Sequence, residues 1–199
     1  MTKEYRVTVT KRHGSGQNDK ARIQMSLGNP RYEGEKFFAL CEWCNKRYGE
    51  VELILSDTLQ RHNQTESMRY WQSYRRQGNE WLLRNREALR GMRIIRWDDL
   101  LHHPDYADTH EQVSNMLLDI KPPYLRETAM RQSQRQGVSY RQCVNFLTEE
   151  LAAFALLFED PADDIYAGSW ITPLLDALPI NAFSTYRCLS VDFERKKAA

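Results

Sequence analysis

The 199-residue chain has no run of 18 apolar residues and no charged-then-apolar segment at its ends, so neither a membrane span nor a secretory leader is expected. Its four cysteines, Cys41, Cys44, Cys143 and Cys188, are scattered. They form neither a disulfide framework nor a four-ligand zinc set, and free thiols fit a reducing compartment. Cys41 and Cys44 are spaced as CxxC, but within an apparent helix around Trp43, whereas a redox pair opens a helix after a strand. Neither GxxxxGKS/T nor GxGxxG occurs, which leaves a mononucleotide site of either standard kind unsupported. His102, His103 and His110 lack the spacing of HExxH or another recognised ligand set, and no metal is expected. A GxSxG elbow is missing too, because Gln24-Met25-Ser26-Leu27-Gly28 lacks the first glycine; an α/β serine hydrolase is set aside. A cytoplasmic enzyme or binding protein without a cofactor is the default.

Basic residues are missing from one long stretch. From Thr148 to Asn181 there are seven acids and no Lys or Arg, while between Arg61 and Arg96 nine Arg stand against three Glu, although the whole chain carries only +1. Such asymmetry implies a surface divided between a part suited to polyanions and an acidic part.

The length suits one domain with a sizeable core. An alternating strand, Tyr5–Thr10, is followed by a polar loop, residues 11–19, expected to be mobile. A short apolar run ending at Ser26 comes next, then an amphipathic helix over Glu33–Tyr48 stopped by Gly49, and a second strand, Val51–Ser56. Strand, helix and strand make a βαβ unit with parallel neighbours. A helical pattern rich in Arg and aromatics spans Thr65–Leu89, with a bend or break expected at Gly78-Asn79. A third strand covers Met92–Trp97. Two helices, Tyr124–Gly137 and Ser139–Phe158, precede a short strand or loop at Ile165–Trp170, a short helix at Thr172–Leu178 and a last strand at Tyr186–Phe193. The fold class is therefore α/β: a single Rossmann-like, three-layer domain over 1–199, with a mostly parallel sheet flanked by helices, and with residues 1–4 and 194–199 expected to fray.

Ser26 sits where the apolar run ends and a helical pattern follows at once. In an open α/β sheet the carboxyl ends of the strands are where ligands bind, and a hydroxyl in that turn is exposed to them beside the N–H groups of the next helix. Ser26 is accordingly the candidate nucleophile, against the plainer reading of a turn serine or helix cap. The candidate polyanion contacts are Arg69, Arg75, Arg76, Arg84, Arg86 and Arg90, because the helix carrying most of them has few acids at i,i+4.

Four stretches, in order, resemble the tRNA-dependent cyclodipeptide synthases: Ser26-Leu27-Gly28-Asn29-Pro30 with Tyr32-Glu33-Gly34-Glu35-Lys36; Asp57-Thr58-Leu59-Gln60-Arg61-His62-Asn63; the basic run Tyr74 to Asn85; and Phe146-Leu147-Thr148-Glu149-Glu150-Leu151. The resemblance spans roughly residues 5 to 193. It implies a fold similar to the catalytic domain of class I aminoacyl-tRNA synthetases without activation by ATP, and no HIGH or KMSKS signature is present. It implies two aminoacyl-tRNAs as substrates, no cofactor, aminoacyl-serine and dipeptidyl-serine intermediates, and a diketopiperazine product. By the same resemblance Ser26 is the nucleophile, Glu150 binds the amino group, Tyr166 belongs to the catalytic pocket, and Asn29 is the position that divides the family into two subgroups. Gly28, Phe146 and Asp57 are expected around the substrate, with Gly28 near the oxyanion donors.

Two departures stand out. Asn29 is followed at the second subgroup position by Ala167, where the family has histidine or proline, and the tyrosine usually four residues before the amine-binding glutamate is Phe146. Either Tyr140 or another hydroxyl substitutes, or Glu150 does more of the binding. The chemistry suits the residues: the tRNA ester is already activated, so acyl transfer asks for a placed nucleophile, an oxyanion site and an amine anchor. The amine of the second aminoacyl group has to attack the Ser26 ester unprotonated, so Glu150 can both orient and deprotonate it. The runner-up is a non-catalytic tRNA- or RNA-binding module with a synthetase-like fold.

Overall fold

The structure is a computed structural model and describes residues 4–64, 67–119, 123–168 and 172–196. One sheet contains β1 (Tyr5–His13), β2 (Lys20–Ser26), β3 (Glu50–Ser56), β4 (Arg93–Arg96), β5 (Asp163–Ala167) and β6 (Arg187–Arg195), in the order β1-β6-β5-β2-β3-β4. All neighbours are parallel except β1 and β6. Around it lie α1 (Gly34–Asn45), α2 (Ser67–Arg84), α3 (Trp97–Leu101), α4 (Tyr106–Asp119), α5 (Pro123–Gln136), α6 (Tyr140–Leu157), α7 (Thr172–Ala177) and α8 (Asn181–Ser184). This is the expected Rossmann-like α/β arrangement.

Period-two alternation produces the layers. Ala21, Ile23 and Met25 of β2, with Leu53 and Leu55 of β3, pack on one face against Phe37, Leu40 and Cys44 of α1 and Trp81 of α2. Ile54 faces the other way, into a cluster with Trp97, Val113 of α4 and Leu147, Leu151 and Phe154 of α6. β3 is thus buried on both faces, as a strand covered on both sides should be. On β2 the face toward α6 carries Arg22, Gln24 and Ser26, and β5 matches it with Asp164 and Tyr166. A polar seam therefore runs through an otherwise apolar layer and ends at Ser26.

At the amino ends of the parallel strands the buried charges are matched. Arg22 has Nη1 3.4 Å from Asp164, Nε 3.5 Å from Glu52 and Nη2 2.9 Å from the Asp160 carbonyl. Asp163 accepts from Arg187 Nε at 2.7 Å, the Tyr48 hydroxyl at 3.0 Å and Asn18 Nδ2 at 3.0 Å. Residues 11–19 are consequently not a free loop: β1 runs to His13, and Asn18 and Asp19 are hydrogen-bonded to Asp163 and Gly49. The acid-only stretch 148–181 is likewise not one acidic surface, since Glu149, Asp163 and Asp164 are buried. Their cations come from distant sequence. Glu194 and Arg195, expected to fray, pair with Arg6 and Tyr5 in β6, and Lys196 N donates to the Glu4 carbonyl at 2.8 Å. Residues 1–3 and 197–199 lie outside the described residues.

α2 runs unbroken through Gly78 and Asn79, where a break was expected. A Cβ on Gly78 would collide with the Asp57 carboxylate and come within 2.9 Å of Arg96 Nη2. Glycine there allows close packing. The helix ends at Arg84 and not Leu89, which leaves Arg86 and Arg90 in the turns that follow. α6 starts on a capping box in which Ser139 Oγ accepts from Gln142 N at 3.3 Å and Gln142 Oε1 accepts from Ser139 N at 3.1 Å. That fixes the helix that carries Glu149 and Glu150.

Candidate active site

An open parallel sheet forms a crevice at the carboxyl ends of its strands, where the chain leads off to opposite sides of one strand. Here that strand is β2, between β3 and β5. Ser26 is its last residue, level with Ser56 at the end of β3, and half-buried. The chain turns immediately, with Asn29 N donating to the Ser26 carbonyl at 3.2 Å and Gly28 at φ +84°. A side chain at that φ would be strained. A Cβ on Gly28 would meet nothing within 4 Å, so the turn backbone stays open to approach. The helix expected directly after Ser26 is displaced by a 3-10 turn, Pro30–Tyr32, and α1 begins only at Gly34. The N–H groups beside Ser26 are those of the turn.

Asn29 caps the 3-10 turn by accepting from Arg31 N at 3.0 Å, and its Nδ2 donates to the Ala167 carbonyl at 3.4 Å. It stitches the Ser26 turn to the end of β5. Tyr166 stands on β5, with its phenol beside the Ser26 side chain. Burial pushes the phenol pKa up, the Ser26 hydroxyl lowers it, the Glu150 charge raises it, and Arg135 and Arg31 lower it. Ser26 and Glu150 thus both bear on the Tyr166 phenol, from elements far apart in the chain.

Two adjacent glutamates on α6 have opposite fates. Glu150 is half-buried, and burial pushes its carboxyl up to about 8, because a low dielectric disfavours the charged form. Burial also pushes Glu149 upward, but hydrogen bonds and charge from His62 and Arg61 overcome it and hold the carboxyl at about 2. Arg61 Nη1 donates to Glu149 at 2.8 Å, Trp97 Nε1 at 2.8 Å, and His62 Nε2 lies 3.1 Å away. Arg61 in turn packs over the Trp71 ring of α2, 4.3 Å from its centroid. Glu149 is a structural anchor; Glu150 is a carboxyl kept poised.

Phe146, one turn before Glu150, is buried and sits edge-on to the His62 ring with centroids 6.5 Å apart. Tyr140 does not replace the absent hydroxyl: it is exposed at the first turn of α6, ten residues before Glu150, about 15 Å along the axis. Asp57, expected beside the substrate, is fully buried under α2, where Arg96 Nη2 donates to its Oδ2. Burial pushes its pKa up and Arg96 pulls it down. Its carboxylate braces the junction of β3, α2 and β4.

Arg75, Arg76, Arg84, Arg86 and Arg90 are exposed, and the side chain of Arg69 lies outside the described residues. The helix is less short of acidic partners than its sequence implied, since Arg75 pairs with Asp98, Arg76 with Glu80 at 3.9 Å and Arg84 with Glu33 at 3.7 Å. Asp98 is buried, whereas the Arg76 and Arg84 pairs are exposed, worth about 0–1 kcal/mol each, and yield readily to a phosphate. Cys41 and Cys44 are buried, and burial pushes the Cys41 thiol up to about 12 and Cys44 well above its usual value. Among the described residues no group of three or more metal-ligating side chains comes together, and no helix is long and apolar enough to cross a membrane.

Sequence reasoning missed Arg31, Arg135 and the Arg61–His62 clamp on Glu149. The one local signal was an Arg-His pair in a segment that ends a buried strand. No family model and no curated relative matches the chain in sequence. Solved structures do match. A cyclodipeptide synthase from Fluoribacter dumoffii superposes with a TM-score of 0.84 at 20% identity, over 97% of this chain and 99% of the other. One from Bacillus thermoamylovorans gives 0.67 at 14% identity over 89% of each chain. A cyclodipeptide synthetase of Mycobacterium tuberculosis, described as related to type I tRNA synthetases, gives 0.68 at 13% identity over 96% of this chain and 94% of the other. At such identities a likeness establishes architecture, and this chain has the fold of the cyclodipeptide synthases.

Proposed function

We propose that the chain is a single-domain, cytoplasmic cyclodipeptide synthase that uses two aminoacyl-tRNAs to make a diketopiperazine. What supports this is that Ser26, at the end of β2, and Glu150 both bear on the Tyr166 phenol at the crevice of a sheet with that fold. Ser26 Oγ attacks the ester carbonyl of the first aminoacyl-tRNA; the new Oγ–C bond replaces the bond to the terminal ribose oxygen, which leaves with a proton. Turn N–H groups near Gly28 face the oxyanion. Tyr166, beside Ser26, orients the hydroxyl. The direction expected from the sequence, with the second amine attacking the Ser26 ester, would expel Ser26 and leave the dipeptide on tRNA; for a dipeptidyl-serine to form, the amine of the aminoacyl-Ser26 ester attacks the ester of the second aminoacyl-tRNA instead, giving a dipeptidyl-Ser26 ester and free tRNA. Finally the new terminal amine attacks the Ser26 ester, closes the ring and releases Ser26.

Each amide bond needs a neutral amine. An α-amino group has a pKa of about 8, and Glu150 is itself raised to about 8, so the proton passes between them at little cost. A carboxylate at its ordinary value would be too weak a base by more than three units. With Phe146 in place of a hydroxyl, Glu150 carries the amine contact alone.

Phe146 also favours a second reading, an RNA-binding module that has kept the fold without the chemistry. Mass spectrometry separates the two: the protein is incubated with a full set of aminoacyl-tRNAs and both small products and intact protein mass are read, beside Ser26→Ala. The synthase yields a diketopiperazine that Ser26→Ala does not make. Neither product nor adduct, with tRNA still bound, overturns it in favour of the module.

A further inference from the structure

β2 and β5 pair in parallel register only from Ala21 and Asp163 to Ile23 and Ile165. One step further, the continued ladder would have the Ala167 N–H donating to the Gln24 carbonyl. Instead the Tyr32 hydroxyl stands between them: it accepts from Ala167 N at 2.7 Å and donates to the Gln24 carbonyl at 2.6 Å. The side chain is fully buried. Its ring lies against Phe37 and Tyr166, with centroids 6.5 Å and 6.3 Å away. Its backbone is pinned as well, with Trp81 Nε1 of α2 donating to the Tyr32 carbonyl at 3.1 Å.

We propose that Tyr32 is a positioning residue for the reaction above: its hydroxyl is a one-atom wedge that replaces a ladder bond, parts β2 from β5, and so sets the distance at which Ser26 meets Tyr166. A direct N–H to carbonyl bond brings two strands to about 4.8 Å. Two hydrogen bonds in series through an oxygen hold them farther apart while leaving neither backbone group unsatisfied, which a buried sheet split otherwise could not do. Asn29 completes the split by capping the Ala167 carbonyl. Tyr166 stands at the wedge on β5 and Ser26 two residues beyond it on β2, so an error in its length is delivered to the reacting hydroxyl. The inference rests on the synthase reading for its catalytic half and on geometry alone for its structural half.

The test compares the parent with Tyr32→Phe, which keeps the ring and removes the wedge atom. Three quantities are read: amide hydrogen exchange at Ala167 and Ile165, kcat and KM per folded molecule with aminoacyl-tRNA, and the urea midpoint. The expected result is Ala167 exchange at least about tenfold faster with Ile165 unchanged, and kcat lower by about ten- to a hundredfold with KM within twofold. A merely structural tyrosine would lower the urea midpoint and leave kcat per folded molecule in place, and that outcome overturns the proposal. So does unchanged exchange at Ala167. If the parent makes no diketopiperazine, the synthase reading has failed and exchange alone judges the wedge. If Tyr32→Phe does not fold, the parent decides: Ala167 as protected as Ile165 supports the wedge, and an unprotected Ala167 overturns it.

Discussion

At the amino ends of the parallel strands, Arg22 stands among Asp164, Asp160 and Glu52, and Arg187 faces Asp163, so buried carboxylates there have a cation within 4 Å. At the carboxyl ends, Glu150 is shifted by burial alone. The same contrast recurs within one peptide bond, between Glu149 held at about 2 and Glu150 raised to about 8. Burying a carboxylate is unfavourable unless cations and donors surround it; the first region supplies them, although burial still lifts Asp164 to about 6. Around Glu150 they are withheld, which leaves a group that is poor for folding and suited to exchanging protons near neutrality. The surroundings of the carboxyl, not the residue type, separate Glu149 from Glu150.

The contrast breaks most plainly if Glu150 proves dispensable. Glu150→Gln should lower turnover by about 10²- to 10⁴-fold in steady-state product formation, while leaving the protein at least as stable as the parent at pH 8. Arg61→Met should do the opposite, costing about 3–5 kcal/mol of unfolding free energy in urea by stranding the Glu149 charge. Adding Glu149→Gln should recover much of that loss, which would show that the pair and not the packing was responsible.

Titration sharpens the comparison further. The folded pKa of Glu150 lies above its unfolded value of 4.5, so its favourable contribution is complete below pH 4.5 and is lost as pH rises through about 8. Glu149 is the reverse: its contribution is present above 4.5 and is lost as pH falls toward about 2. The unfolding free energy of Glu150→Gln relative to the parent should therefore climb by about 2–4 kcal/mol between pH 5 and pH 8, measured by urea melts. The smallest effects belong to the exposed arginines. Arg76→Gln with Arg86→Gln should weaken tRNA binding by a few-fold with a shallower salt slope, and leave stability within about 0.5 kcal/mol.

Much of this was legible in the sequence because it is local. Ser26 ends an apolar run, Val51–Ser56 is a short and largely apolar strand, and a helical pattern begins at Ser139. What was not legible depends on contacts at long separation. Gly78 reads as a helix breaker until Asp57 and Arg96 are seen pressed against it. Asp163 and Asp164 read as surface acids until Arg187 and Arg22 arrive from other strands. Asp57 likewise reads as a strand-end carboxylate open to ligand, and only the fold places Arg96 on it. Tyr32, in a polar stretch between Pro30 and Gly34, carries no local sign that its hydroxyl lies inside the sheet.

The strand order has a consequence for synthesis of the chain. Ser26 belongs to the first parallel strand made, yet one of the two neighbours of that strand is β5, and the sheet is completed by β6 pairing with β1. At about 5–20 residues per second on the ribosome, roughly 7–28 seconds separate emergence of the serine from that of Tyr166. Through that interval the emerging chain holds a hydroxyl without its phenol, its carboxyl or one wall of its crevice. If Ser26 is the nucleophile proposed above, a nascent chain surrounded by charged tRNA keeps it idle until nearly all of the chain has been made.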